Sequence, residues 1–317
     1  MRLRLVPAKT NIGFLARRTK AFALSGFLFI ASIGLFVTVD LNYGIDFEGG
    51  ILIEVGTPGP ADLGLMRGAL SGLGLGEVAL QEFGRDTDVL IRVERQQGGS
   101  SAQQRAVAAV KEALAVEIPG EISYRRVEFV GPKVSAELVR AGTLASVLAV
   151  VAMLVYIWFR FEWQFAVGAV AALVHDVVLT IGIFALTRLE FNLSIIAAIL
   201  TIVGYSVNDT VVVYDRIREN LRKYRRMPLT ELLNVSINDT LSRTTMTSAT
   251  TLIALLTLFF FGGAVIKGFT FAMIWGVLVG TYSSIFVAAP LLIYVRLRRD
   301  VSEEESDGDE EAAVDTG

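Results

Sequence analysis

The sequence predicts an α-helical polytopic membrane protein with six transmembrane helices and one small α+β domain of the ferredoxin-like (βαββαβ) type on the extracytoplasmic side. The 317-residue chain is 53% hydrophobic, with a mean hydropathy of +0.56 and only 19% charged residues, which is too apolar for an ordinary soluble domain. Six stretches are long and apolar enough to span a hydrocarbon core, which needs about 20 residues of helix. The segment between the first two stretches is too polar for lipid and too apolar to be disordered.

The six predicted spans differ in the polar residues that they contain. The third contains His175 and Asp176, the fourth contains Asp209, and Arg243 lies at the start of the fifth. A signal peptide is the alternative for the first stretch, but no cleavage site of small residues follows it, so we expect an uncleaved helix. The predicted spans are residues 21–39, 141–159, 163–187, 191–214, 244–266 and 268–295.

Lys and Arg in the short loops predict the orientation, because these residues are retained on the cytoplasmic side during insertion. They cluster before the first span, after the fourth and after the sixth, whereas the short alternate loops contain only Arg188 and Lys267. Both termini are therefore expected in the cytoplasm, with residues 1–20 as an N-terminal segment and 216–240 as a basic cytoplasmic loop between spans. The prediction is a multi-pass protein of a bacterial cytoplasmic (inner) membrane, with helices 2–6 within residues 138–299.

Residues 41–137 form the predicted extracytoplasmic domain. The order of its elements, β-α-β-β-α-β, is typical of the ferredoxin-like fold, in which two helices cover one sheet face. No catalytic motif lies within it, so a binding or gating module is expected, with a structural spacer as the alternative. The predicted strands are residues 50–56, 77–83, 88–94 and 121–130; the predicted helices are residues 60–73 and a segment that begins at a capping box, Ser101-x-x-Gln104.

Composition excludes several classes of function. The chain has no cysteine and one histidine, so disulfides, thiolate metal sites and histidine clusters are not expected, and no cofactor, metal or nucleic acid is predicted to bind. No nucleophile–base set or P-loop is present, so an enzyme is the least favoured class. The net charge of −3 comes from residues 300–317, which we expect to be an acidic, disordered cytoplasmic tail.

Ionisable residues within the spans are the candidate functional residues, because a charge at mid-bilayer costs about 2.5–3.5 kcal/mol on insertion scales. Asp209 and Arg243, on consecutive spans, are expected to stabilise one another and to handle protons together with Asp176 and Thr247. Burial would favour the protonated, neutral form of Asp209, whereas a nearby guanidinium would favour the charged carboxylate. Small movements of the guanidinium could therefore change the proton occupancy of Asp209. Packing of helices by hydrogen bonds is the alternative. A secondary polar path is predicted at His175, Ser206, Asn208 and Ser248.

Five strings of sequence resemble the SecF family, the smaller half of the bacterial SecDF protein-export complex in the resistance-nodulation-division superfamily. They occur in the expected order between about residue 11 and residue 299, and the acidic tail does not contribute. The strings are GIDFEGG (44–50), VGPKV (130–134), HD (175–176), GYSVNDTVVVYDRIREN (204–220) and NDTLSRTTMTSATT (238–251).

The resemblance implies a protein-export role: an auxiliary subunit that pairs with SecD, associates with the SecYEG translocon, and uses the proton-motive force to promote translocation of a preprotein. Asp209 is similar to the family's essential membrane aspartate and Arg243 to its essential arginine. The facing carboxylate would then reside in SecD, because this chain is a separate subunit and not a SecDF fusion. A non-transporting membrane scaffold or assembly factor is the alternative, and a small-molecule exporter would need larger outer domains.

Overall fold

The computed structural model describes residues 10–263 and 265–295. A short 3₁₀ turn (Leu15–Arg17) precedes the first long helix. In chain order the elements are α1 (Arg18–Val39), β1 (Asn42–Tyr43), α2 (Ile45–Glu48), β2 (Gly50–Gly56), α3 (Leu63–Ser71), β3 (Val78–Phe83), β4 (Arg85–Val93), α4 (Gly99–Glu117), β5 (Ser123–Val130), α5 (Pro132–Arg160), α6 (Trp163–Thr187), β6 (Glu190–Phe191), α7 (Leu193–Lys223), α8 (Leu229–Phe261), α9 (Lys267–Ser283), a π-helical turn (Ser284–Ala288) and α10 (Ala289–Leu291).

The six predicted spans correspond to α1, α5, α6, α7, α8 and α9 with its continuation, which are long and apolar enough to cross a membrane. Residues 1–9 of the predicted N-terminal segment, the predicted tail 300–317 and the basic residues Arg296, Arg298 and Arg299 lie outside the described residues. The helix α6 has the predicted bounds. The bounds of the others differ: α5 already begins at Pro132, within the segment assigned to the domain 41–137, whereas α8 ends at Phe261, before the predicted residue 266.

The predicted basic loop 216–240 is the main correction, because most of it is helical. The helix α7 continues to Lys223 and α8 begins at Leu229, so only residues 224–228 connect them. Both extensions bury an apolar stripe: Tyr214 and Ile217 of α7 and Leu232 of α8 are inaccessible to solvent within one core cluster. Polar contacts continue the pairing, with Asn220 Nδ2 donating to Ser236 Oγ at 2.9 Å. The prediction relied on hydropathy, which falls where the helices leave the apolar layer. The helices nevertheless continue to pack against each other beyond that point.

Residues 10–15 are tied to the start of α8 by two asparagines. Asn238 Oδ1 accepts from the backbone of Ile12 at 2.9 Å, and Asn238 Nδ2 donates to the carbonyl of the same residue at 2.9 Å. Asn234 Oδ1 accepts from the backbone of Phe14 at 2.8 Å. Phe14 and Leu15 are buried in the same cluster as the α7–α8 contact. The described part of the N-terminal segment is therefore fixed to the helical core.

The segment between α1 and α5 folds into a four-stranded antiparallel sheet with strand order β3-β4-β2-β5. One sheet face carries Ile51, Ile53 and Ile91, which are fully buried under α3 and α4. The predicted strand and helix order is confirmed, although the details of the caps differ. Asp62 caps α3 by accepting from the backbones of Gly64 and Leu65, while α4 already begins at Gly99 and Ser101 forms no capping box.

The segment that joins α1 to this domain contacts the ends of the spanning helices. The strand β1, just after α1, pairs in parallel with β6, which lies between α6 and α7. In the GIDFEGG string, Gly49 and Gly50 have φ angles of +74° and +122°, as expected for glycines that provide unusual backbone angles. Gly44 differs: its φ is −77°, and a Cβ there would lie 2.5 Å from Glu190 Oε1. Here the absence of a side chain allows the backbone to pack closely against Glu190.

Two small residues of α9, Gly276 and Gly280, mark a site of close helix approach. A Cβ at Gly276 would lie 2.2 Å from Ile202 Cγ1 of α7, and one at Gly280 would lie 3.1 Å from Ser206 Cβ. Because both glycines face α7, the two helices can pack with their backbones close together.

We predict that Gly276→Ala destabilises the protein by roughly 1–3 kcal/mol, because the new methyl group overlaps a branched side chain on a neighbouring helix. The measurement is thermal unfolding of the detergent-solubilised chain. Gly34→Ala in α1 is the matched control, since a Cβ there meets no atom within 4 Å. Equal unfolding midpoints for the two variants would contradict the close α7–α9 contact.

A buried ion cluster on the other sheet face gives a pH prediction. Burial raises the pKa of Asp88, but hydrogen bonds from Arg125 (2.7 Å), Arg85 (3.0 Å) and Thr87 outweigh it and lower this pKa to about 2. A lowered folded-state pKa stabilises the fold above the unfolded value of about 4, and that stabilisation is lost as the pH falls toward 2. We expect Asp88→Asn to lower the free energy of unfolding of the domain by about 2 kcal/mol at pH 7. Amide hydrogen exchange of β4 provides the measurement.

The control for this prediction is Asp86→Asn, in the same strand, where the residue is exposed. It should leave the exchange of β4 unchanged. The difference between Asp88→Asn and the unmodified chain should also shrink between pH 4 and pH 2, measured by denaturant unfolding. A difference that stays constant over this range would refute the assigned role of the carboxylate.

Candidate proton-coupling site

Asp176 of α6 lies at the centre of a hydrogen-bond network that joins three spanning helices. Its side chain has no exposed surface. Asp176 Oδ2 accepts from Ser206 Oγ of α7 at 2.6 Å and from Ser283 Oγ of α9 at 2.8 Å. His175 Nδ1 lies 3.0 Å from Asp176 Oδ1. Both carboxylate oxygens therefore have partners, as a buried carboxylate requires.

The π-helical turn after α9 places two consecutive serines inside the protein. Pro290 follows this turn, and a proline ring clashes with the carbonyl four residues earlier in a regular α-helix, so a wider turn relieves the clash. Ser283 and Ser284 are both fully buried. Ser283 bonds Asp176, whereas Ser284 Oγ lies 2.9 Å from Thr210 Oγ1 of α7. The turn thus allows one helix end to contact α6 and α7 at once.

His175 extends the network toward α1. Its ring stacks on that of Tyr282, with centroids 6.2 Å apart and planes inclined by 29°. The Tyr282 hydroxyl lies 3.0 Å from Ser25 Oγ of α1 and donates to the carbonyl of Ala21 at 3.1 Å. His175 Nε2 is buried and has no hydrogen-bond partner within residues 10–263 and 265–295. His175 therefore links α6 to α1 through Tyr282.

Asp209 of α7 is buried but incompletely satisfied. Its residue surface is 2% exposed, and Asp209 Oδ2 has no hydrogen-bond partner in the described part of the chain. Arg243 of α8 acts on it electrostatically, yet the two form no ion pair within 4 Å. The direct pairing expected from the sequence is therefore not formed. Thr244 Oγ1, also on α8, is buried and likewise unpartnered among the residues described.

The remaining predicted residues divide between the network and the surface. Ser206 belongs to the Asp176 network. Ser248 Oγ lies 2.7 Å from Thr281 Oγ1 and so joins α8 to α9. Thr247 Oγ1 donates to backbone carbonyls of its own helix, at 2.9 Å to Thr244 and 3.2 Å to Arg243. Asn208 and Arg243 are exposed in the isolated chain. The structure therefore joins His175, Asp176 and Ser206 directly, but not Asp209 with Arg243.

Sequence reasoning missed the contribution of the sixth span. Thr281, Tyr282, Ser283 and Ser284 supply partners to Ser248, His175, Asp176 and Thr210 respectively. A usable signal exists, because residues 281–284 are four successive hydroxyl side chains in an otherwise apolar span. Their partners could not be inferred, because the π turn that aligns the two serines depends on tertiary packing.

We predict that Ser283→Ala destabilises the protein by about 1–3 kcal/mol, because Asp176 loses one of the two donors to its Oδ2 atom in a buried site. Thermal unfolding of the solubilised chain provides the measurement. Ser146→Ala is the matched control, since Ser146 Oγ only donates to the carbonyl of Gly142 in its own helix. If both serine variants unfold at the same temperature, the network does not hold the helices together.

Comparisons with known proteins identify the family of the chain. A family model described as the protein export membrane protein SecD/SecF, C-terminal, matches residues 109–298, and a SecD/SecF GG motif matches residues 35–57. Two relatives called protein translocase subunit SecF are each 48% identical to the chain. That from Cereibacter sphaeroides aligns over 94% of both chains, and that from Rickettsia felis over 92% of this chain and 94% of its own.

A solved structure is similar over nearly the whole chain. SecDF from Thermus thermophilus, called a translocon-associated membrane protein, is 34% identical and superposes with a TM-score of 0.84 over 94% of this chain. The chain spans 40% of the length of that SecDF chain. The two family-model matches include α2, the short helix of the GIDFEGG string, and the long helices α5 to α9. This multi-pass inner-membrane protein belongs to the SecF family.

Proposed function

We propose that this chain is an accessory subunit of the Sec protein translocase which, together with a SecD partner, uses the proton-motive force to promote preprotein translocation. The observation that carries the proposal is Asp209, a buried carboxylate in a spanning helix with one oxygen unpartnered in the described part of the chain. The relatives named above are translocase subunits, which supports the process in which this carboxylate acts. In this proposal the chain has no catalytic activity of its own.

The coupling follows from the cost of an unpaired buried charge. A carboxylate without partners in a low-dielectric layer is unfavourable, and a proton, a water molecule or a closer Arg243 guanidinium would each remove that cost. Because Arg243 lies on α8 and Asp209 on α7, the proton occupancy of Asp209 and the relative position of the two helices are linked. Proton movement down its gradient can then drive a change in helix position.

The exposed polar residues near this site support a partner subunit. Arg243 and Asn208 are exposed in the isolated chain although both lie on membrane-spanning helices. A guanidinium facing hydrocarbon is costly, so a protein surface with a carboxylate is the expected neighbour. The Thermus SecDF chain is more than twice as long as this one, and we infer that a separate SecD-like subunit supplies the corresponding remainder. SecYEG and the preprotein are the further partners.

The proposal also sets the orientation and the role of the folded domain. We infer that both termini are cytoplasmic and that residues 41–137 form a ferredoxin-like extracytoplasmic domain. The β-α-β-β-α-β element order and the strand order β3-β4-β2-β5 support that fold. Because this domain contacts the start of α7, we expect it to respond to movements of that helix.

We predict that Asp209→Asn abolishes export driven by the proton gradient while folding and assembly with the SecD partner remain intact, because an amide keeps the shape of the side chain but cannot exchange a proton. The measurement is translocation of a preprotein into inverted membrane vesicles with and without a proton gradient. Co-purification with the partner and the unfolding temperature report on folding.

The matched control is Asp215→Asn, six residues along the same helix, where an exposed aspartate pairs with Arg160 at 2.8 Å. An exposed ion pair contributes about 0–1 kcal/mol, so export should stay normal. Gradient-dependent export at the normal rate in Asp209→Asn would rule out the proton role and favour the alternative, a non-transporting scaffold or assembly factor held together by these polar residues.

A further inference from the structure

A cavity of about 440 Å³ separates the sheet of the folded domain from the ends of the spanning helices. Leu52 and Leu90, on the sheet face opposite α3 and α4, line one side. Phe259 of α8 and Phe269 and Phe271 of α9 line the other. The proposed proton-coupling residues lie elsewhere, on the α6, α7 and α8 surfaces within the helical layer. The cavity therefore constitutes a separate candidate site.

The cavity lies at the boundary between the apolar layer and water. Three of its lining segments are helix ends, because α6 ends at Thr187, α8 at Phe261 and α9 begins at Lys267. Large apolar side chains beside these ends are exposed, at 86% for Phe261 and 60% for Val265. Exposed apolar side chains at the end of a spanning helix indicate a surface that contacts lipid. The surroundings of the cavity are thus those of lipid headgroups and the first part of acyl chains.

The lining also carries charges of both signs that are not paired with each other. Lys267 has no ion pair within 4 Å in the described ranges, and its ammonium lies 5.4 Å from the Phe259 ring centroid. Glu190 and Asp46 form an acidic corner. Burial raises the pKa of Glu190, and Asp46 raises it further, although Arg92, Asn192 and Arg126 lower it. The second cation of the lining, Arg126, is bound to Glu128 at 2.6 Å.

We propose that this cavity binds a zwitterionic phospholipid with a primary ammonium headgroup, of the phosphatidylethanolamine class. Lys267 binds the phosphate, Glu190 and Asp46 accept from the ammonium, and the phenylalanines of α8 and α9 contact an acyl chain. The cavity thus combines an apolar surface, one lysine without an ion pair in the described ranges and a pair of neighbouring carboxylates. The lysine matches the phosphate of such a headgroup, and the carboxylates match its ammonium. An anionic lipid would satisfy Lys267 but leave the acidic corner unfavourable. The bound lipid would link the folded domain to one leaflet of the membrane.

The test uses the full-length chain and titrates it with palmitoyl-oleoyl phosphatidylethanolamine or phosphatidylglycerol, with bound lipid counted by native mass spectrometry. Phosphatidylethanolamine should bind more tightly. Lys267→Gln should weaken its binding roughly tenfold, since a charged hydrogen bond is lost, and Lys267→Arg should retain it. Glu190→Gln should reduce the preference for phosphatidylethanolamine over phosphatidylglycerol.

Lys111→Gln is the matched control, because Lys111 also lies over an aromatic ring, 4.7 Å from the Tyr124 centroid, but does not line the cavity. Its lipid binding should equal that of the unmodified chain. Unfolding temperatures identify any variant that fails to fold, and Lys267→Arg keeps the test decisive in that case. Equal binding by Lys267→Gln and the unmodified chain, or a preference for phosphatidylglycerol, would overturn the proposal.

A second measurement separates a lipid from a polypeptide. A photo-crosslinking phenylalanine analogue at Phe83, which lines the cavity, is activated in intact membranes. An adduct with the mass of a phosphatidylethanolamine supports the proposal. An adduct with a polypeptide would overturn it and assign the cavity to a protein segment.

Discussion

The carboxylate of Asp176 is the interaction on which the membrane-spanning part depends. It has no exposed surface and draws its hydrogen bonds from α7 and α9 as well as from the neighbouring His175. Removing a partner would leave a charge without compensation in a low-dielectric layer, which is among the more destabilising changes known. The close approach at Gly280 brings α9 to Ser206, and Ser283 is the last residue of α9 before the π turn. Both serines therefore reach Asp176 where α7 and α9 pack closely.

Asp209, in the same helical layer, is a buried carboxylate with incomplete hydrogen bonding. Asp176 has partners for both oxygens, whereas Asp209 Oδ2 has none in the described part of the chain. The two aspartates thus differ in environment: Asp176 joins α6, α7 and α9 by hydrogen bonds, whereas Asp209 lies on α7 with one oxygen unpartnered.

The folded domain is connected to this layer through the start of α7. Asp46 Oδ2 accepts from the backbone of Leu193, the first residue of α7, at 3.0 Å, and Ser135 Oγ of α5 donates to the carbonyl of Phe47. The same helix carries Ser206 and Asp209 further along. The domain therefore contacts the same helix that carries Asp209 and that donates to Asp176 through Ser206.

The sequence by itself determined the class of protein, the number of long helices and the order of strands and helices along the domain, because hydropathy and side-chain periodicity are local properties of each segment. It also selected Asp209 and Asp176, since a charge within an apolar stretch is visible without a structure. It did not reveal Ser283 and Ser284 as partners, the helical nature of residues 216–240 outside the short 224–228 connection, or the separation of Arg243 from Asp209. Only the tertiary structure decided these, because they depend on how closely α7, α8 and α9 approach. Gly276 and Gly280, for example, allow the close approach of α9 to α7 only because Ile202 and Ser206 lie opposite them, and neither segment specifies that contact alone.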